Sequence, residues 1–280
     1  MLGGDETADR AELAWCRMSE TQRGRKGGRM RTGTVLVLVL ALMSYGSLAE
    51  LPHLSGRWAM VQIYPQIAVL PIAGEVPRSS LVVQFVDIAQ EGAALTMLDR
   101  YCFTDVEDGT PLVKTEIPEA FMASLVPAPR VGTLRETDEG IAFEGASYVE
   151  VRGAALDDPA TDPLPTDPLD PRVIDQDGDG HPGMTVRVTV LGIVEGETYI
   201  VQRVQYRLSG WLIGPDRIEG RVEWIDEQSV LAATNPLLEA DTLGWPDPDP
   251  TAHRFVMARV DETWTCEALR ERLAELLGGG

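Results

Sequence analysis

Residues 184–190 read Met-Thr-Val-Arg-Val-Thr-Val, and this alternation of apolar and polar side chains decides the fold. In an extended chain, successive side chains point to opposite faces, so one face of this segment is apolar and the other is polar. One dry face and one wet face are typical of antiparallel sheet.

The same period of two recurs on both sides of this segment. Further strands are predicted at residues 81–88, 95–103, 142–152, 200–208, 218–224 and 254–260. Glu195-Gly196-Glu197 and Gly214-Pro215-Asp216 are predicted to be turns between strands. The pattern therefore predicts an all-β, mainly antiparallel fold, either barrel-like or a sandwich. We expect a single domain over residues 50–280, with two sub-domains divided near residue 160 as the alternative.

Helix is predicted in two places only. Pro118–Leu125 is a candidate for a short helix, because proline is favoured at the first helical position. At the C-terminal end, the leucines of residues 265–277 share one stripe and three glycines follow. We expect this second helix to pack alongside the sheet.

An acidic segment interrupts the strand pattern. Residues 155–171 are rich in Asp-Pro pairs, which disfavour both helix and strand and indicate a surface loop. This loop leads into Asp175-Gln176-Asp177-Gly178-Asp179-Gly180, where alternate carboxylates are followed by a glycine. The hexapeptide resembles the calcium loops of EF-hands, dockerins and thrombospondin type 3 repeats. That resemblance implies that Asp175, Asp177 and Asp179 bind a divalent cation, Ca²⁺.

The loop also departs from the EF-hand pattern over residues 175–186. Val186 stands where an EF-hand has its bidentate glutamate, and the flanking residues are not helical in pattern. The main-chain carbonyl of His181 would occupy the seventh position, and Asp170 is a candidate for the missing acidic ligand. We expect a structural calcium site between a loop and a strand, and a solvated acidic turn without an ion is the alternative.

The N-terminal region predicts export. Residues 30–49 have the features of a signal peptide: basic residues at Arg29 and Arg31, an apolar run over Val35–Met43, and small residues at Ser47 and Ala49 before the expected cleavage site. The run is shorter than the roughly 20 residues that span a bilayer, so no membrane span is expected in the mature chain. Residues 1–29 are interpreted as an over-extended start or a basic leader. The expected location is the periplasm or the extracellular space.

Charge and cysteine content agree with this location. The chain has 44 acidic and 24 basic residues, a formal net charge of −20, which disfavours nucleic acid and suits cations. Downstream of the predicted signal peptide two cysteines remain, Cys102 and Cys266, and an even pair in an exported protein predicts a disulfide.

Gly56-Arg57-Trp58 opens the first predicted strand after the signal peptide. It resembles the Gly-x-Trp start of lipocalins, in which the indole caps one end of a small barrel. That resemblance implies a cavity for a small apolar ligand, and a plain core position for Trp58 is the alternative.

The sequence leaves the function open. It contains no Gly-x-Ser-x-Gly, His-Glu-x-x-His, phosphate-binding glycine loop or Cys-x-x-Cys motif, so a non-enzymatic role is favoured without being decided. Three hypotheses remain: an exported β-domain with a structural calcium ion that binds an envelope component, a lipocalin-like carrier of a small apolar ligand, and a hydrolase with unassigned carboxylates. Tyr199, Arg203 and Arg207 share one strand face that is either a wet surface or a cavity wall.

Overall fold

The computed structural model describes residues 51–70, 74–240 and 243–278. The predicted signal peptide at 30–49 and the preceding residues 1–29 lie outside the described residues, so their predictions stay predictions.

The described residues form twelve strands and three short α-helices, which confirms a mainly antiparallel all-β fold. The strands are β1 (Gly56–Leu70), β2 (Gly74–Glu91), β3 (Ala94–Glu107), β4 (Val113–Glu116), β5 (Arg130–Thr137), β6 (Gly140–Gly145), β7 (Tyr148–Arg152), β8 (Met184–Val190), β9 (Val194–Leu212), β10 (Arg217–Ala233), β11 (Leu243–Pro246) and β12 (Arg254–Arg259). The helices are α1 (Glu119–Ser124), α2 (Cys266–Glu271) and α3 (Leu273–Gly278), and a 3₁₀ turn spans Pro236–Leu238.

Eight of these strands close into a ring. Hydrogen-bonded neighbours follow the order β10, β12, β1, β2, β3, β5, β6 and β9, and β9 pairs again with β10. Every pairing around the ring is antiparallel. The sheet therefore has the closed, barrel-like form, which a period-two pattern alone could not distinguish from a sandwich.

One end of the ring is packed solid with inward-facing side chains. Trp58, Met60, Phe143, Phe255 and Met257 are at most 1% exposed and belong to one apolar cluster.

Trp58 lies within this packed end. Its indole Nε1 donates a 2.8 Å hydrogen bond to the carbonyl of Leu54. The guanidinium of Arg259 lies 4.7 Å from the ring centroid of Trp58 and donates to the carbonyls of His53 and Ser55. These contacts fasten the segment before β1 across this end of the ring.

The C-terminal helices cover the outside of the sheet. Leu269 and Leu276 bury their side chains against Val61, Phe85 and neighbouring outward-facing residues of β1 to β3. The predicted single helix is wrong in one respect, because Arg272 leaves helical geometry (φ −105°, ψ 15°) and divides it into α2 and α3. The bend allows leucines from both short helices to reach the same apolar face of the sheet.

A disulfide joins Cys102 of β3 to Cys266, the first residue of α2, with a Cα–Cα distance of 5.2 Å. The two residues are 164 positions apart in the sequence. The bond therefore attaches the C-terminal helices to the ring.

At the other end, the long strands continue beyond the ring. β8 pairs with the first half of β9, β4 pairs with β8, and β11 pairs with the last residues of β1. The loop 155–171 packs on the outer face of β9 and β10, where Leu164 contacts Val201 and Leu231 in a small apolar cluster. The extended strand ends surround a space that side chains do not fill.

The turn predicted at Glu195-Gly196-Glu197 is wrong, since these residues lie inside β9. The chain reverses earlier, where Leu191 and Gly192 both have positive φ. Gly196 serves close packing instead, because a Cβ there would lie 2.8 Å from Leu238 Cδ1 and from Thr234 Oγ1. The turn predicted at 214–216 is confirmed between β9 and β10.

Candidate functional site

A cavity of about 680 Å³ lies between the extended strand ends. Along β1 its wall runs from Gln62 to Ala68, which at the rise of a strand corresponds to a depth of about 20 Å. Leu237 and Leu243 also line it, yet they are 75% and 67% exposed, so they mark its opening. Its volume falls in the range of small-molecule sites.

One side of the cavity is apolar. Alternate residues of β8 face inward, because the period of two places every second side chain of a strand on the same face. Side chains from α1 and β9 extend this apolar surface. The residues that form this side are Val186, Val188, Val190, Ile117, Phe121 and Ile200.

The opposite side and the floor are polar. The polar lining residues come from β1, β2, β7, β9 and β10, and include Gln62, Gln66, Arg78, Ser80, Arg152, Gln202, Asp226 and Gln228. The lining also includes the aromatic rings of Tyr64, Tyr101, Tyr206 and Trp224. The cavity is therefore amphipathic.

A chain of hydrogen bonds organises this floor. Glu150 accepts from the Tyr101 hydroxyl at 2.9 Å and from Arg152 Nε at 2.5 Å. Arg152 also donates to Gln202 at 3.0 Å, and the amide of Gln202 donates to Asp226 at 3.0 Å. The bonds run from β3 through β7 and β9 to β10, so four strands fix the position of the polar groups.

A buried ion pair lies beside this chain. Arg130 of β5 donates two hydrogen bonds to Asp99 of β3, at 2.5 and 2.7 Å, and both side chains are at most 3% exposed. The Arg130 guanidinium lies 5.6 Å from the centroid of the Tyr206 ring. Asp99 is thus held by Arg130 of another strand, and its neighbour Arg100 lies over Phe85 instead.

Burial favours the neutral form of the tyrosines of the floor. Burial is the main cause that raises the pKa values of Tyr64, Tyr101 and Tyr206 above the ordinary tyrosine value. In the described structure the Tyr206 hydroxyl and both polar atoms of the Gln84 side chain are buried without a hydrogen-bond partner. Such groups carry a desolvation cost that a polar partner would relieve.

Asp226 is the acidic group of the cavity wall. Its carboxylate is accessible from the cavity, and Gln202 is the partner that donates to it. The surrounding protein raises the pKa of the Asp226 carboxyl by desolvation, against the opposing effects of Gln202, Arg152 and Arg78. Sequence patterns did not single out this residue, since it is one of many carboxylates and its inward direction depends on strand register.

The predicted metal loop brings three carboxylates together. One ligand oxygen each from Asp175, Asp177 and Asp179 lies within 4.8 Å of the others, so the triad could hold a metal ion. Gly178 and Gly180 take positive φ values of 71° and 90°, which fold the loop back on itself.

Hydrogen bonds orient these carboxylates. Asp175 accepts from the amides of Asp179 and Gly180, at 3.1 and 2.9 Å. Thr185 donates its amide to Asp177 at 2.9 Å and its hydroxyl to Asp179 at 2.5 Å. The second carboxylate oxygen of Asp177, Oδ1, is buried without a partner, and desolvation is the main cause that raises the Asp177 pKa. An unpartnered carboxylate oxygen among hard oxygen donors fits a cation such as Ca²⁺ or Mg²⁺.

The Asp170 carboxylate points elsewhere, and the His181 ring makes its own contact. Arg172 holds both oxygens of Asp170, at 3.0 and 2.7 Å, and its hydrogen bonds lower the Asp170 pKa to about 2. The His181 ring stacks on Tyr199 at a centroid distance of 4.3 Å. The structure therefore does not bring the Asp170 carboxylate into the triad, and the contribution expected from His181, its main-chain carbonyl, stays a prediction.

The face shared by Tyr199, Arg203 and Arg207 is the outer one. Arg203 donates to the carbonyls of Ala160 and Asp162 in the loop 155–171, and Arg207 pairs with Glu144 at 3.1 Å. These side chains attach the loop and support the sheet, whereas the even-numbered residues of β9 line the cavity.

Within the described ranges, no helix is long and apolar enough to cross a bilayer. No family model, no curated protein and no solved structure matches the chain. Its function must therefore be inferred from the geometry of its own residues.

Proposed function

We propose that this protein binds and carries a small amphipathic molecule in the cavity between its extended strands. The observation that carries the proposal is the cavity itself, about 680 Å³ with an apolar side, a polar floor and an opening marked by exposed leucines. A protein interior is ordinarily filled to the density of an organic crystal, so a space of this size in an otherwise packed ring favours a ligand site. The packed end closes the site from below.

The cavity favours binding over hydrolysis. Glycoside hydrolysis requires two carboxyl groups on either side of the reacting bond. Among the described residues that line the cavity, Asp226 is the one carboxylate, while Glu150 is held by Tyr101 and Arg152. The floor is built to hold and orient a polar group.

A neutral fluorescent probe tests this function. Nile red emits strongly in apolar surroundings, and we expect its emission to rise and saturate on titration with the protein. Val188→Trp should fill part of the cavity and weaken the probe by about tenfold or more, since Val188 faces inward. Thr189→Trp is the matched control on the opposite face of β8. No saturable binding to the wild type, or equal weakening by both variants, would contradict the proposal.

We also propose that the triad of Asp175, Asp177 and Asp179 binds Ca²⁺ in a structural role. The support is the convergence of the three carboxylates and the unpartnered oxygen of Asp177. The loop is tied to β8 through Thr185 and to Gly153 and α1 through Gln176. A bound cation would therefore stiffen the strand that forms the apolar side of the cavity.

Calorimetry and thermal unfolding test the cation. Without a bidentate glutamate, we expect an affinity of about 10⁻⁴ to 10⁻³ M and a rise in melting temperature at millimolar calcium. Asp177→Asn should abolish both effects, while Asp249→Asn, in the loop between β11 and β12, should keep them. Heat flow and melting temperature that do not respond to calcium in the wild type would refute the site.

Export completes the proposal, with the periplasm or the extracellular space as the location. The predicted signal peptide and the disulfide between Cys102 and Cys266 support it, because disulfides persist in oxidising compartments. The N-terminal residue of the protein purified from its native host tests the prediction, with Glu50 expected. A native protein that retains residues 30–49 would exclude cleavage there.

A further inference from the structure

We infer that the ligand is an amphipathic organic cation whose ammonium group pairs with Asp226, beside the rings of Trp224 and Tyr64. This inference rests on the proposed binding function and names the chemical class of the ligand. The occupant would place its charged head on the polar floor and its apolar part against β8 and the exposed leucines at the opening.

Most charged side chains near the cavity are paired with each other. Three arginines near it each have a carboxylate partner within 3.3 Å: Arg78 with Asp108, Arg130 with Asp99, and Arg152 with Glu150. Among the described residues of the lining, Asp226 is the remaining charged group.

Asp226 has no such partner. Within the described part of the chain, no basic nitrogen lies within 4.0 Å of its carboxylate, and its hydrogen bond comes from the neutral amide of Gln202. Counted over the described residues with their ion-pair partners, the charged groups of the floor and walls thus sum to one negative charge, that of Asp226. A monovalent cation is the ligand charge that balances it.

Aromatic side chains share the cavity wall with the Asp226 carboxylate. Trp224 and Asp226 are two residues apart on β10 and both line the cavity, so their side chains lie on the same face about 7 Å apart along the strand. The Tyr64 ring packs edge-on against Trp224 at a centroid distance of 5.2 Å.

These rings complete a site for an organic cation. Aromatic faces attract cations, and the attraction grows where water is excluded. A carboxylate on the same strand face as Trp224, whose ring packs against Tyr64, provides both the charge and the apolar contact that an alkylammonium head requires.

An anionic head group is the alternative to a cation. Arg78 and Arg152 line the same cavity and could attract a carboxylate. Each is already neutralised by Asp108 or Glu150, and Arg152 also donates to Gln202. An anion would have to displace one of these carboxylates and would add to the charge of Asp226, so the cation is favoured.

Competition by three ligands with the same chain and different heads tests the inference. Octylamine, octanol and octanoate are titrated at pH 7 against Nile red bound to the wild-type protein. We expect octylamine to displace the probe at a concentration about tenfold lower than the other two, as a partly desolvated ion pair with aromatic contact predicts.

Two variants assign the preference to a residue. Asp226→Asn should reduce octylamine to the level of octanol, while Glu227→Gln should leave the preference intact. Glu227 is the matched control, because it follows Asp226 directly but is 60% exposed on the outer face, where it pairs with Arg203. Melting curves of both variants report whether each one is folded.

The outcomes separate the two proposals. Equal displacement by all three ligands, a preference for octanoate, or an unchanged preference in Asp226→Asn would overturn the cation and leave the carrier function in place. If Nile red does not bind, the proposed function fails, and direct calorimetric titration with octylamine decides the inference alone. Saturable heat that Asp226→Asn abolishes would support it, and no heat would overturn it.

Discussion

Replacing Asp99 by alanine should destabilise the protein far more than any exposed ion pair would predict. The Arg130 guanidinium makes two short hydrogen bonds to Asp99, at 2.5 and 2.7 Å. The side chains are 3% and 0% exposed. Removing the carboxylate therefore leaves a positive charge within the ring that can neither reach water nor find the same partner.

The size of the expected loss in the free energy of unfolding follows from the burial of the pair. Breaking a buried pair by removing one partner costs about 3–5 kcal/mol, because the remaining charge stays desolvated. The chain offers a matched comparison in Arg259 and Asp216, which meet at 2.7 Å while Asp216 is 65% exposed. Asp216→Ala should cost about 1 kcal/mol or less, since exposed pairs contribute little. The two variants remove the same carboxylate from the same kind of partner and differ mainly in access to water.

Urea unfolding followed by circular dichroism measures both free energies of unfolding. A third variant, Asp99→Leu with Arg130→Met, replaces the pair by apolar side chains. It should recover much of the loss, because both charges are removed and the space is filled.

Two results would refute this reasoning. Asp99→Ala could lie within about 1 kcal/mol of the wild type, in which case the guanidinium is relieved by another group and the charge is not stranded. The double variant could be as unstable as the single one, which would show that shape rather than charge sets the cost. Either result would also weaken the case for a cationic ligand, since that case requires that Asp99 neutralise Arg130.

Three further perturbations test other parts of the fold. Replacing Cys102 and Cys266 by serine should lower the free energy of unfolding by up to about 5 kcal/mol, because the bond closes a loop of 164 positions. Urea unfolding that matches the wild type would contradict this. Gly183→Ala should cost several kcal/mol, because its φ is 87° and a Cβ would lie 2.3 Å from the Ile200 carbonyl oxygen. Gly178→Ala, at φ 71° with open space around it, should cost about 1–2 kcal/mol, and equal losses in urea would exclude the steric explanation. Asp226→Asn should raise the melting temperature at pH 7 but not at pH 3: the folded-state pKa of Asp226 is raised, so the carboxyl opposes folding only once pH exceeds its ordinary pKa. A melting temperature that falls at pH 7 but not at pH 3 would reverse the sign assigned to this group, and an equal change at both pH values would exclude its charge as the cause.

The strands were predictable because their signal is local. Alternation over residues 184–190 corresponds to the whole of β8, and the shorter patterns at 200–208 and 218–224 fall inside β9 and β10. The long strands exceed their patterns because their ends line the cavity and mix polar with apolar inward residues. Asp226 and Gln228 of β10 face inward just beyond the predicted segment, so the alternation that identifies a packed strand is lost where the strand borders an open space.

The prediction of a turn at 195–197 was wrong for a related reason. Glycine between two glutamates is a strong local turn signal. At position 196, however, glycine is required because Leu238 and Thr234 leave no room for a side chain. The true turn uses Leu191, whose φ of 55° is rare for a leucine and carries no sequence signature. Local patterns cannot distinguish a glycine required by its own backbone from one required by a distant neighbour.

The acidic triad and the disulfide were accessible to sequence reasoning, but the cavity was not. Asp175, Asp177 and Asp179 are neighbours in the chain, so a spacing rule brings them together before any tertiary contact is known. The floor of the cavity joins Tyr101, Glu150, Gln202 and Asp226 from four strands. Only the register between strands determines that these residues meet, and register is a property of the closed ring.

Closure of the ring also explains why a packed core and an open cavity can lie end to end in the same sheet. Eight strands enclose an interior that side chains can fill, and at one end Trp58, Phe143 and Phe255 fill it. Beyond this level β8, β4 and β11 join the wall, so the enclosed space widens while the inward side chains become shorter or polar. The buried pair of Asp99 and Arg130 lies beside Tyr206, which belongs both to the packed core and to the cavity lining. A polar floor above a packed base therefore follows from the change in strand number along the sheet, and it places the polar recognition groups at the bottom of an opening lined by leucines.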